Sequence, residues 1–211
     1  MSHLSSSARQ LAAAVRGWVI FTIICGLAYP LVVFGVAQIA FPRQADGSLV
    51  TYRGRVVGSS LLCQEFTTPG GQPLARYFQP RPSASAASPT SGAGGCDPLA
   101  SGASNLGPDN PVLVRDIEPR QRRVAAFDHV PVSAIPADAV TTSGSGLDPL
   151  ISPQNAAIQA ARVAAARHVS VAAIMALVRR YTQGRALGIL GEPGVNVLLL
   201  NIALDQRYPV R

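Results

Sequence analysis

The chain has 211 residues, room for one domain of about 150 residues with an appendage but not for two full domains. Only 14% of it is charged, against about 25% for an average soluble domain, and 18 basic residues over 11 acids give a net +7. All 18 are arginine. Without lysine there is no P-loop lysine, kinase-type lysine or Schiff base, which excludes ordinary ATP hydrolysis and pyridoxal chemistry on this polypeptide and leaves any ATP-driven work to a partner.

Residues 1–16 read as a short tail carrying Arg9 and Arg16. From Gly17 to Pro42 no residue is charged, a run of 26. As a helix it would extend about 39 Å, more than the hydrocarbon thickness of about 30 Å, so one tilted membrane span fits. Gly35 and Ala37 offer a small-x-small cleavage site, but the apolar run continues through Phe41, and an uncleaved anchor fits its length better than a signal peptide does. Ile24 stands before Cys25 where a lipoprotein needs a small residue. Pro30 has no N–H for the carbonyl of Gly26 and should kink the helix. Gly26, Gly35 and Ala37 permit close approach of another helix, and Gln38 adds a polar group, so the span is expected to pack within a larger complex. Arginines on both flanks leave the positive-inside rule undecided. A long C-terminal domain translocates largely regardless of charge, so the expected topology has the N-terminus in the cytoplasm and the bulk outside, in a cell inner membrane.

Residues 43–211 carry 16 arginines and 11 acids, net +5, and suffice for one core of mixed α/β (α+β) structure. Apolar runs at Arg55–Leu62 and Val195–Leu200, bounded by glycine and proline, suit buried strands. Residues 80–111, rich in Ser, Ala, Gly and Pro, read as a long surface loop. Arg115–Phe127 could hold a helix if Pro119 sits in its first turn. Cys63 and Cys96 could pair in an oxidising compartment or stand as two small apolar residues.

Ser152-Pro153 supplies an N-cap with proline at the first helical position, and strong helix formers follow to about His168. Ser170 can cap a second helix whose Val171, Ile174, Met175, Val178 and Tyr181 recur on one face, expected to pack on the sheet. Arg179 and Arg180, like Arg120, Arg122 and Arg123, read as solvated faces, and the arginines are otherwise too dispersed for a nucleic-acid site. Chemistry is concentrated in one loop. Ser143, Gly144, Ser145, Gly146 and Asp148 precede the Ser152 helix, where exposed amides and a helix N-terminus could cradle an anion. The competing reading has Asp148 closing a turn and the hydroxyls satisfying a tight loop, and spacing alone favours it. The three histidines show no metal-ligand spacing, and no nucleophile elbow or dinucleotide loop is present.

One resemblance covers nearly the whole chain. Tyr29-Pro-Leu with Gly35-Val-Ala-Gln38, Gly58-Ser-Ser-Leu with Gln64, and Tyr77-Phe with Arg81-Pro-Ser open the series. Ser101-Gly-Ala-Ser-Asn-Leu-Gly107, Ser143-Gly-Ser-Gly-Leu-Asp-Pro149, Arg162-Val-Ala, Gly191-Glu-Pro-Gly-Val-Asn196 and Leu204-Asp205 continue it. In these stretches the chain resembles the C subunit of Kdp-type potassium-transporting P-type ATPases. The resemblance implies a non-catalytic accessory subunit of a high-affinity potassium uptake pump. Its partners would be a channel-like potassium-binding subunit, a P-type ATPase subunit and membrane lipid. The complex would handle ATP and potassium with no covalently bound cofactor on this chain, and a part in raising ATP affinity would make Ser143–Asp148 the natural candidate for a nucleotide contact. The alternative from another class is a membrane-tethered nucleotide-binding module or enzyme using that loop.

Overall fold

The structure, a computed structural model, describes residues 6–84 and 95–210. The chain falls into two compact units, Met1–Leu49 and Val50–Arg211.

The first unit is built on one apolar helix, Ser6–Ala40, with none of its most apolar stretch buried. At about 1.5 Å per residue its 35 residues extend some 52 Å. It starts well before the apolar run because Ser6–Arg16 is rich in alanine and other good helix formers. Pro30 is accommodated by a π-turn. Helix α1 (Ser6–Ile23) passes into five π-helical residues, Ile24–Ala28, before α2 (Tyr29–Ala40), and the Tyr29 N–H bonds back to the Ile24 carbonyl. The wider turn fits beside a residue that cannot donate. A short helix α3 (Pro42–Ala45) follows, and Gln38 Nε2 donates to Asp46 Oδ1 at 3.2 Å.

The second unit mixes helices and small sheets. Strands β1 (Leu49–Tyr52) and β2 (Arg55–Ser59) pair across Arg53 and Gly54, both at positive φ as a two-residue hairpin link requires. The Arg55–Leu62 run is thus a strand in part, but it lies at the surface, with Val56 60% exposed. A three-stranded antiparallel sheet has the order β3 (Leu150–Ile151), β5 (Gly194–Asn196), β4 (Thr182–Gln183). Gly194 in the central strand has a packing reason: a Cβ there would lie 3.0 Å from Leu150 Cδ1.

Helix α4 (Pro111–Asp128) is longer than the sequence suggests and holds Pro119 in its interior. Asn110 caps it, with its side chain accepting from the Val112 N–H, and His129 closes it at φ 55. Pro119 is exposed, so the carbonyl it leaves without an amide can be hydrated. Helix α5 (Pro153–Ala166) is capped by Ser152 and α6 (Val171–Arg180) by Ser170, as expected. The face of α6 that is buried carries Ile174, Leu177 and Val178, while Val171 is exposed, and the helix packs chiefly on α5 and also on α7. The run Val195–Leu200 is not one strand. The chain leaves β5 at Asn196, whose side chain accepts from the Leu199 N–H and caps α7 (Val197–Arg207). Local capping there overrides the β-propensity of the apolar run. Ile151, Ala160, Val163, Ile174, Val195 and Leu204 belong to one buried cluster that joins α5, α6, α7 and the sheet.

The described parts of 80–111 before α4, residues 80–84 and 95–110, contain no helix or strand, and 85–94 lie outside the described residues. Cys63 and Cys96 are joined in a disulfide, so of the two readings open in the sequence the paired one holds.

Candidate functional site

The Ser143–Asp148 loop turns its polar groups on itself. Ser143 is buried and its Oγ accepts from the Gly146 N–H at 2.9 Å, with Gly146 at φ 72. Ser145 Oγ accepts from the Leu147 N–H at 3.1 Å, and Asp148 Oδ1 from the Leu150 N–H at 2.9 Å. Three amides that could line an anion cradle are thereby engaged by the loop's own side chains. Neighbouring segments brace it from outside. Cys63 N–H donates to the Leu147 carbonyl at 2.9 Å, and both the Gly102 N–H and the Ser101 hydroxyl donate to the Ser145 carbonyl, at 2.8 and 3.0 Å. Arg81 completes the brace, with Nη1 on Asp148 Oδ2 at 3.1 Å and Nη2 on the Thr142 carbonyl at 3.4 Å. Gly144 and Ser145 are exposed. The hydroxyl oxygens of Ser143 and Ser145 each accept from a backbone amide of the same loop.

Beyond that loop lies a polar framework that sequence reasoning missed. In α5, Asn155, Gln159 and Arg162 recur at helical spacing and are buried beside the apolar stripe of Ala156, Ala160 and Val163. Gln159 and Arg162, with Arg167 and Asn201, hold the segment Ala75–Gln79, which opens on a turn (Tyr77 N–H to the Leu74 carbonyl) and belongs to no helix or strand. Arg162 Nη1 donates to the carbonyls of Ala75 and Tyr77 at 2.6 and 2.9 Å, and Arg167 Nε to that of Arg76 at 2.7 Å. Asn201 accepts from the Phe78 N–H and donates to its carbonyl, both at 2.9 Å. Gln159 does the same for Gln79, at 2.7 and 3.1 Å. Five consecutive carbonyls are thus satisfied by side chains of α5, its C-terminal Arg167 and α7, while the Phe78 ring is fully buried in the core.

The framework is continuous. Asp138 accepts from the Ser152 N–H and hydroxyl and from Asn155 Nδ2, Asn155 accepts from Gln159, and Gln159 accepts from Arg162 Nη2. Arg162 Nε ends the series on Asp128 Oδ1 at 2.7 Å, with both side chains 5% exposed. Burial pushes the Asp128 carboxyl up from its ordinary range, opposed by the hydrogen bond and charge of Arg162; burial likewise lowers the Arg162 guanidinium, opposed by Asp128. A second pair, Arg167 with Asp205 at 2.8 Å, also takes the Tyr77 hydroxyl, which donates to Asp205 at 2.9 Å. Burial first, and then Asp205, push the Tyr77 phenol up.

A cavity of about 880 Å³ opens beside α4 and α5, lined among others by Glu65, Arg81, Arg120, Arg123 and Phe127. Burial raises the Glu65 carboxyl. Arg81 Nε is buried and has no partner among the described residues. Ser83 forms part of the wall, and 85–94, the next residues but one, are outside the described residues.

In the first unit, a Cβ at Gly26 or Gly35 would meet nothing within 4 Å, and the amide of Gln38 is engaged by Asp46.

A family model described as the K+-transporting ATPase, c chain, matches residues 11–206. A potassium-transporting ATPase KdpC subunit of Kineococcus radiotolerans is 49% identical over 207 residues, covering 98% of each chain. Subunits of the same description from Sorangium cellulosum and Caulobacter vibrioides are 50% and 51% identical, covering 88% and 95% of this chain and 92% and 94% of theirs. With a mixed helix and sheet domain, one apolar N-terminal helix and a match along nearly its whole length, the chain belongs to the KdpC family, the c chain of the K+-transporting ATPase.

Proposed function

We propose that this chain is the single-pass accessory subunit of an ATP-driven, high-affinity potassium uptake pump in the cell inner membrane. Its N-terminus lies in the cytoplasm and its α/β domain outside. It stabilises the assembly of a channel-like potassium-binding subunit with a P-type ATPase subunit. The family match over residues 11–206 carries this reading. The Cys63–Cys96 disulfide supports the outward domain, since such bonds persist in oxidising compartments and are rare in the cytosol. In the span, Gly26, Pro30, Gly35 and Gln38 are the positions that pack on partner helices.

Any effect on ATP affinity reaches the pump as coupling. A domain outside the membrane cannot touch cytosolic ATP, but it can favour one conformation of its partners by binding that conformation better. The inward-turned hydroxyls and amides of Ser143–Asp148 favour a bracing role for that loop over a nucleotide-binding one. Purification of the tagged chain in mild detergent tests the assembly. A channel-like subunit and a P-type ATPase should be recovered with it; a stable lone monomer would remove the reading.

A further inference from the structure

Between β4 and β5 the chain makes a compact projection. Ala186 and Leu190 pair in both directions, with N–H to carbonyl distances of 2.8 and 2.9 Å, and Leu187 and Gly188 form the turn at φ 54 and 80. Below that bridge, Arg185 Nη2 lies 2.9 and 2.8 Å from the two carboxylate oxygens of Glu192 and staples the base. The tip then presents Leu187, Ile189 and Leu190, which are 89%, 75% and 57% exposed. Single exposed apolar residues are ordinary, but three on one stapled turn form a patch. Leu187 is also disfavoured locally. Its left-handed backbone suits glycine or asparagine, and its side chain touches almost nothing, so the stability of the fold does not account for leucine there.

We propose that the Arg185–Glu192 projection is a docking knob whose Leu187, Ile189 and Leu190 enter an apolar pocket on the outer face of another subunit of the ATPase. This rests on the assembly reading above and assigns it a surface. Charge separates the occupants: Glu192 neutralises Arg185, so the tip offers an anionic bilayer surface no unpaired cation. A second copy of the same tip would supply no concave receiver. Apolar contacts are what a permanent complex uses at its subunit interfaces.

The test uses the co-expressed complex. A benzophenone amino acid at position 189 should cross-link to one pump subunit; a cross-link only to lipid, or only to a second copy of this chain, would overturn the proposal. Leu187→Asp with Ile189→Asp should lower recovery of the pump subunits about tenfold or more, as for loss of a central apolar contact, while the melting temperature of the chain stays unchanged. Leu187→Asn suits the left-handed backbone, guards against a misfolded double variant, and must also lower recovery. Full recovery with Leu187→Asn or with the folded double variant would sink the knob. Failure of the unaltered chain to bring down any pump subunit would instead sink the assembly reading beneath it.

Discussion

Arg162 commits its guanidinium to four acceptors, on Asp128, Ala75, Tyr77 and Gln159, and stacks 4.2 Å from the centre of the Phe127 ring. A buried pair with Asp128 need not stabilise more than an apolar replacement would, but removing one member strands the other. Arg162→Ala should therefore cost about 3–5 kcal/mol, through the orphaned Asp128 and the unsatisfied carbonyls of the 75–79 segment. Asp148→Ala removes a turn acceptor and a partly exposed ion pair, and should cost only about 1 kcal/mol. Thermal unfolding of the full chain in detergent checks both, with expected losses of roughly 10 °C and 3 °C. Equal losses would mean that the loop, not the framework, holds the domain. The caps at Ser152 and Ser170 are legible in the sequence because a cap is decided within three residues. The hold of Arg162 and Asn201 on the 75–79 segment is not, since the Tyr77 and Phe78 carbonyls they bond lie 85 and 123 residues away in sequence. A signal exists all the same: Asn155, Gln159 and Arg162 form a helical stripe in an otherwise alanine-rich helix.

At the scale of elements, sequence and structure part where two local preferences compete. Val195–Leu200 reads as a strand by composition, yet Asn196 ends the strand and begins α7. In α4, Pro119 argues for a short helix, while the Asn110 cap and the left-handed His129 close an 18-residue one around it. A Cβ at Gly26 or at Gly35 would meet nothing within 4 Å, so a neighbouring helix could approach closely at either position. Replacing Gly26 or Gly35 with leucine should weaken subunit association more than replacing Val32 or Val33 does, as read by recovery of the pump subunits. Equal effects at all four positions would refute close packing through the small residues.

At the scale of the whole molecule, the chain has no lysine, and its Ser143–Asp148 loop is bonded inward. Its described parts include a braced domain with a disulfide, a long apolar helix and an exposed apolar tip, and on the reading proposed above they act on the pump through contact. Membership of the family is legible in ordered short motifs from Tyr29 to Asp205, whereas the disulfide and the tip need the fold, because spacing in sequence does not reveal proximity in space.

The most direct test of the account is photolabelling of the assembled complex with a membrane-impermeant ATP analogue, in sealed vesicles of both orientations. Label should enter the ATPase subunit when the cytoplasmic face is accessible, and should leave residues 143–148 of this chain unlabelled in either orientation. Labelling of Ser143–Asp148 when the cytoplasmic face is accessible would contradict both the topology and the coupling.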